Sequence, residues 1–194
     1  MRARLAIASA GVQVELREIL LRDKAPELLE TSPSGTVPCL RTGDTVLDES
    51  RDIMVWALTQ NDPENWLDMP EEGHALIDMI EGPFKRALDR YKYSIRYADA
   101  DKLAEREIAS GYLRQLDERL AGQDWLFGKA PTLADMAILP FVRQFAMTDK
   151  AWFDAQDWGD LQNWLEVFLG SERLARVMSK YKTWKSGDTP VQFP

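Results

Sequence analysis

A chain of 194 residues with 45% hydrophobic and 29% charged side chains can bury a core as one large domain or two small ones. Its net charge of −8, with basic residues scattered along the chain, argues against nucleic acid or an anionic membrane surface as a partner, since both need a concentrated cationic face. One cysteine (Cys39) and one histidine (His74) allow no internal disulfide, disfavour a zinc site or a Ser-His-Asp triad, and point to a reducing, cytoplasmic home. No run approaches the roughly 20 apolar residues of a membrane span.

The first element is a short helix stopped by Gly11, with Arg2 and Arg4 expected on its outer face. The apolar run Leu5–Ala10 is shorter than the hydrophobic region of a secretory signal. Val12 to Leu21 alternates, with Val14, Leu16 and Ile19 set against Gln13, Glu15 and Arg17, and predicts a strand. Lys24 to Glu30 predicts a short helix, and Ser32-Pro33-Ser34-Gly35 a turn. Val37 to Arg41 and Thr45 to Leu47 read as strands joined through Thr42-Gly43-Asp44. A helix over Ser50 to Gln60 follows, with Ser50 as N-cap and Ile53, Met54, Ala57 and Leu58 facing inward.

Asn61 to Gly73, with two prolines, several acids and little periodicity, is the expected linker. Everything after it is helical in pattern. One long element runs from His74 to about Tyr97 and is disturbed at Gly82-Pro83, and Lys102 to Leu120, Thr132 to Phe145, Leu161 to Leu169 and Glu172 to Trp184 follow. The expected partition is therefore a small α/β domain over residues 1–60, a linker over 61–73 and a helical domain over 74–194.

Three stretches carry a resemblance. SPSGTVPCLRTGDTVLDESRDI (Ser32 to Ile53), GKAPTLADMAILP (Gly128 to Pro140) and RARLAIASAG, in this order and spacing, resemble the glutathione S-transferase family, in particular bacterial, omega-, zeta- and starvation-protein-like members. The fold this implies is α/β plus all-α: a thioredoxin-like N-terminal domain lacking its first strand, then the family's C-terminal helical bundle. The resemblance also implies a cis Val37-Pro38 bond, with Val37 pairing its backbone with the cysteinyl part of glutathione. Glu49 would meet the γ-glutamyl ammonium, Ser50 at a helix N-terminus the γ-glutamyl carboxylate, and Lys24 the glycine carboxylate. Thr132 and Asp135 form a capping box that serves the helical fold.

An electrophile pocket would lie between the domains, lined by Tyr91 and Tyr93. Glutathione as substrate, no metal, a small electrophile or disulfide as second substrate, and a homodimer complete the expectation. The family's catalytic Ser, Cys or Tyr precedes the helix that RARLAIASAG resembles, so it is expected upstream of Met1 and none is assignable here. Either Met1 is internal to a longer protein or the domain closes its sheet differently. Cys39 reads as a small buried hydrophobe. Two functions stay open: a glutathione-conjugating or thiol-transfer enzyme, and a non-catalytic regulatory or interaction protein of the starvation-protein type.

Overall fold

A computed structural model describes residues 1–194, which divide into two compact units, residues 1–65 with 172–194, and residues 66–171.

In the first unit, helix α1 (Arg2–Ala10) buries Ala3, Leu5, Ala6, Ile7 and Ala10, and ends where Gly11 takes a left-handed φ of 66°. That conformation lets the Gly11 amide turn back to the Ile7 carbonyl, and it favours glycine because a Cβ would be strained there. Strand β1 is only Val14–Glu15, after which helix α2 (Pro26–Thr31) leads into the Ser32–Gly35 turn. Strands β2 (Leu40–Thr42) and β3 (Thr45–Leu47) pair antiparallel as Leu40↔Leu47, Arg41↔Val46 and Thr42↔Thr45 around Gly43-Asp44, with Gly43 at φ 57°. Helix α3 (Ser50–Gln60) then packs Ile53, Met54, Ala57 and Leu58 into the core beside α1.

Several expectations give way here. The alternating stretch 12–21 is not one strand: beyond Val14–Glu15 it makes only isolated bridges at Glu18 and Leu20. Its partner comes from the far end of the chain, where strand β4 (Gln192–Phe193) pairs antiparallel with β1 and the Leu16 amide donates to the Val191 carbonyl at 2.7 Å. Arg2 and Arg4 do not lie on an outer face. Arg2 is 9% exposed, and Arg4 reaches the Glu18 carboxylate at 2.6 Å with its guanidinium 5.3 Å from the Tyr181 ring. The small side chains of α1 let α3 approach one side while the C-terminal segment covers another, so little of this short helix stays bare.

The C-terminal segment also overturns the expected partition. Helix α10 spans only Glu172–Val177, not 172–184, and belongs with the first unit. It lies against α1, and Arg173 grips both Glu64 carboxylate oxygens at 3.0 and 2.6 Å. The Trp184 amide donates to the Glu18 carbonyl, and Phe193 is 2% exposed. Nor is 61–73 a free connection. Trp66 is completely buried and its carbonyl accepts the Leu133 amide at 2.8 Å, so the second unit begins there.

The second unit is all helix. α4 (Glu71–Met79) passes through a π turn (Ile80–Phe84) into α5 (Lys85–Lys92), and a 3₁₀ turn covers Ser94–Arg96. The π turn falls at Pro83, which has no N–H to donate and would crowd the carbonyl four residues back. α6 (Lys102–Leu120) starts at Asp101, whose side chain accepts the Leu103 and Ala104 amides; α7 (Leu133–Ala146), α8 (Lys150–Asp154) and α9 (Gly159–Leu169) complete the bundle. Leu113, Leu116 and Leu120 of α6 are buried, whereas Leu103 and Ile108 are exposed.

Asp135, fully buried at the start of α7, accepts four hydrogen bonds. Its Oδ1 takes the Leu126 amide (2.9 Å) and Trp164 Nε1 (3.1 Å), and its Oδ2 takes the Thr132 amide and Thr132 Oγ1 (both 2.8 Å). The capping box expected from sequence thus also ties α9 and the 126 loop to α7. Burial pushes the carboxyl above the ordinary aspartate range, and the four donors pull against that shift.

Candidate functional site

The β2–β3 ladder ends at Leu40↔Leu47, so Cys39 and Asp48 are the next residues beyond it on the two arms, followed by Pro38 on one and Glu49, which leads into α3, on the other. The Val37–Pro38 peptide is cis. Val37 is 42% exposed, and neither its N–H nor its C=O is hydrogen-bonded within the chain. A short stretch of unpaired backbone edge beside a helix start can accept an extended peptide as an added strand.

Glu49, expected only as a partner for an ammonium, occupies the N-cap position of α3; Ser50, expected as N-cap, is the first helical residue. The Glu49 carbonyl accepts the Ile53 amide at 3.1 Å, while its side chain caps nothing and stands exposed without an ion pair. The Ser50 hydroxyl accepts Arg2 Nη2 at 2.6 Å and Nε at 3.2 Å. With guanidinium donors on its acceptor side, that hydroxyl turns its own proton elsewhere. It stands beside the first amides of the helix, where the positive end of the α3 dipole favours an anion. Lys24 is exposed in the loop before α2 and makes no ion pair within the chain.

Two of the sequence-derived candidates fall elsewhere. Tyr91 is 1% exposed, its ring 5.3 Å from Phe145 in the aromatic core of the helical unit, so it is a packing residue and not a pocket lining. Burial pushes its phenol upward. Tyr93, the C-cap of α5, is half-buried with Lys92 Nζ and the Arg96 guanidinium 4.9 and 4.4 Å from its ring.

Sequence reasoning passed over Arg2 and Asp48. Asp48 Oδ2 accepts the Ser34 amide at 3.0 Å and Ser32 Oγ at 3.3 Å, and the Ser34 backbone bond above all holds its carboxyl below the usual range. Cys39 is half-buried; burial first, and the Asp48 charge second, push its thiol upward, with the nearby Ser32 hydroxyl acting against the shift. That is the opposite of what a nucleophilic thiol needs. The two-residue loop at Gly43-Asp44 carried the signal for Asp48, because it sets the register that ends at Leu40↔Leu47 and so makes Asp48 the first residue past β3. Arg2 left no local signal. A groove of about 540 Å³ lined by Thr42, Thr45, Leu47, Arg51, Asp52, Val55 and Trp56 lies along the hairpin and α3 but includes none of the candidate residues. Val37, Glu49 and Ser50, which follow the two arms of the β2–β3 ladder, make up the candidate site instead.

A small unit with a β-hairpin, a cis-proline and a helix start beside it, in the same chain as an all-helical unit, defines the glutathione S-transferase-like fold, with a thioredoxin-like N-terminal part. Residues 1–66 match the family model "Glutathione S-transferase, N-terminal domain", and residues 99–167 match "Glutathione S-transferase, C-terminal domain". Glutathione S-transferase 4 of Zea mays is 30% identical over a 172-residue alignment that covers 77% of this chain and 74% of that protein. The chain belongs to the glutathione S-transferase family. Among solved structures, a glutathione transferase family member from Pseudomonas fluorescens with two glutathione bound superposes with a TM-score of 0.78 at 17% identity, over 91% of this chain and 86% of that one. A maize glutathione S-transferase I in complex with an atrazine glutathione conjugate gives 0.70 at 24% identity, over 91% and 89%. At these identities the structural likeness speaks to fold.

Proposed function

We propose that this protein binds glutathione at the Val37–Ser50 site and serves glutathione conjugation or thiol transfer. The observation that carries this reading is the unpaired backbone of Val37 past one arm of the hairpin ladder together with the unpaired Glu49 carboxylate at the start of α3 past the other. In this reading the cysteinyl N–H of glutathione donates to the Val37 carbonyl, and its C=O accepts the Val37 N–H. The γ-glutamyl carboxylate accepts the Ser50 amide and hydroxyl protons, and the γ-glutamyl ammonium donates to Glu49. Lys24 carries the charge suited to the glycine carboxylate. Each group binds or orients; the sulfur they fix in place is the reacting atom, and holding it in one geometry is itself a source of rate. A small electrophile or a disulfide is the second substrate, and the protein works as a homodimer in the reducing cytoplasm.

Calorimetric titration of glutathione into the protein, with Glu49→Gln and Ser50→Ala alongside, tests the reading. Hydrogen bonds to charged groups contribute about 1.5–3 kcal/mol each, so each substitution is expected to weaken binding about tenfold or more. Full affinity in both variants, or no heat with the unaltered protein, refutes the site. Turnover of 1-chloro-2,4-dinitrobenzene alongside binding supports conjugation; binding without it, and without reduction of a mixed glutathione disulfide, supports the regulatory function.

A further inference from the structure

We propose that Asp48 is a positioning residue for the glutathione site, holding the Ser32–Thr36 turn so that the Val37 backbone edge faces the ligand. This rests on the reading of the site given above. The chain presents the site from two stretches that are distant in sequence: Thr36-Val37-Pro38 ahead of β2, and Glu49-Ser50 after β3. The hairpin ladder begins only at Leu40↔Leu47, so no backbone pairing reaches Val37. Side chains must supply the connection, and Asp48 is the residue that crosses the gap.

One carboxylate oxygen of Asp48 takes the Ser34 amide and the Ser32 hydroxyl. The turn then hands the constraint onward. Ser34 Oγ lies 2.6 Å from Thr36 Oγ1 and accepts the Thr36 amide at 3.2 Å, and Thr36 is bonded covalently to Val37. At its other end the turn is moored to α2, where the Ser32 amide donates to the Leu28 carbonyl at 2.8 Å, and it closes with the Gly35 amide on the Ser32 carbonyl at 3.1 Å. Only Asp48 ties it to the strand that continues into Glu49 and Ser50. The residue that anchors the peptide-pairing edge is thus the immediate neighbour of the residue that meets the ammonium, so one short segment sets the spacing between both ligand contacts. A charged acceptor makes the stronger tether, because a hydrogen bond from an amide to a carboxylate is shorter and stronger than one to a neutral oxygen.

The test compares two ligands: glutathione, and glutathione methylated on the cysteinyl amide nitrogen, which cannot donate to the Val37 carbonyl. The unaltered protein is expected to bind glutathione at least tenfold more tightly than the methylated form. Asp48→Ala is expected to lose about tenfold for glutathione and less than twofold for the methylated ligand, since the contact it disturbs is already missing there. Asp48→Asn, which keeps one acceptor oxygen for the Ser34 amide, falls between. Cys39 gives a local readout independent of ligand: removing the Asp48 charge should speed its alkylation by iodoacetamide at pH 8 several-fold while the melting curve keeps its cooperativity. Equal loss for both ligands in Asp48→Ala, or no loss for either, overturns the inference and leaves the site standing. Equal affinity of the unaltered protein for the two ligands, or binding of neither, overturns the site and the inference together.

Discussion

Replacing Asp135 by alanine should destabilise the helical unit more than any other single polar substitution in it. The side chain is wholly buried and satisfies four donors, from Leu126, Thr132 (amide and hydroxyl) and Trp164. Truncation strands the two amides and the indole N–H, while the Thr132 hydroxyl can rotate. A buried donor left without an acceptor costs about 1–3 kcal/mol, so three could cost up to about 9. The vacated space is close to that of a water molecule, and a water there would satisfy one or two of them, which brings the expected loss to about 4 kcal/mol. For a chain of this length each kcal/mol lowers the melting temperature by about 2–4 °C, giving a drop of about 8–16 °C. Asp135→Asn keeps Oδ1 for Leu126 and Trp164 but turns an NH₂ toward the Thr132 amide, so it should lose about half as much. Scanning calorimetry of the three proteins reads this directly, and glutathione affinity per folded molecule should not change. A drop under about 3 °C for Asp135→Ala, or a larger drop for Asp135→Asn than for Asp135→Ala, refutes the accounting.

The C-terminal strand offers a second check. Phe193 is 2% exposed opposite Val14, and core Phe→Ala changes cost about 3–5 kcal/mol, with the lower end expected at a strand that can peel away. In Phe193→Ala, exchange of the Leu16 amide, bonded to the Val191 carbonyl, should speed up more than about tenfold, while the Leu133 amide on the Trp66 carbonyl keeps its protection; equal acceleration at both amides would count against a local strap. The Asp48 carboxyl lies below its ordinary value because the folded state favours the charged form. Its bonds to the turn are therefore intact above the unfolded value near 3.9 and are lost as the pH falls through the lower folded value. The Ser34 amide proton resonance should accordingly titrate with a midpoint under about 3.9, and a midpoint at or above that value sinks the assignment of the hydrogen bond.

What was legible in the sequence is what short-range chemistry dictates. Gly11 ends α1 because a left-handed residue is needed there, and Pro83 deforms the long helix because it cannot donate. The Thr132/Asp135 pair caps α7 because the partners are three residues apart. The β2–β3 hairpin and the buried face of α3 follow from turn residues and apolar spacing. The misreadings came from partners distant along the chain. Alternation in 12–21 correctly marks an extended segment, but a strand lasts only as far as its partner does, and the partner is two residues at the other end of the chain. Arginines near a helix start are ordinarily solvated, and nothing local to Arg2 announces a hydroxyl 48 positions away. Tyr91 carries the 3.6-residue pattern of a buried face as plainly as Leu88 does, and the pattern cannot separate a ring that lines a pocket from one that fills a core.

The candidate site divides along the same line, and the division has a physical cause. Of its groups, Val37, Glu49 and Ser50 lie in one continuous motif, because a peptide edge and a helix start can follow the two arms of a single hairpin whose loop length sets the register, whereas Lys24 lies outside it. Its supports, Arg2 beneath Ser50 and Asp48 beneath the Ser32–Gly35 turn, are charged side chains that replace backbone pairing where the ladder stops. Contacts of this kind leave no periodic trace, since any element that passes close enough can supply them. The motif therefore accounts for what the site would recognise, and the charged supports account for how firmly it would be held in place.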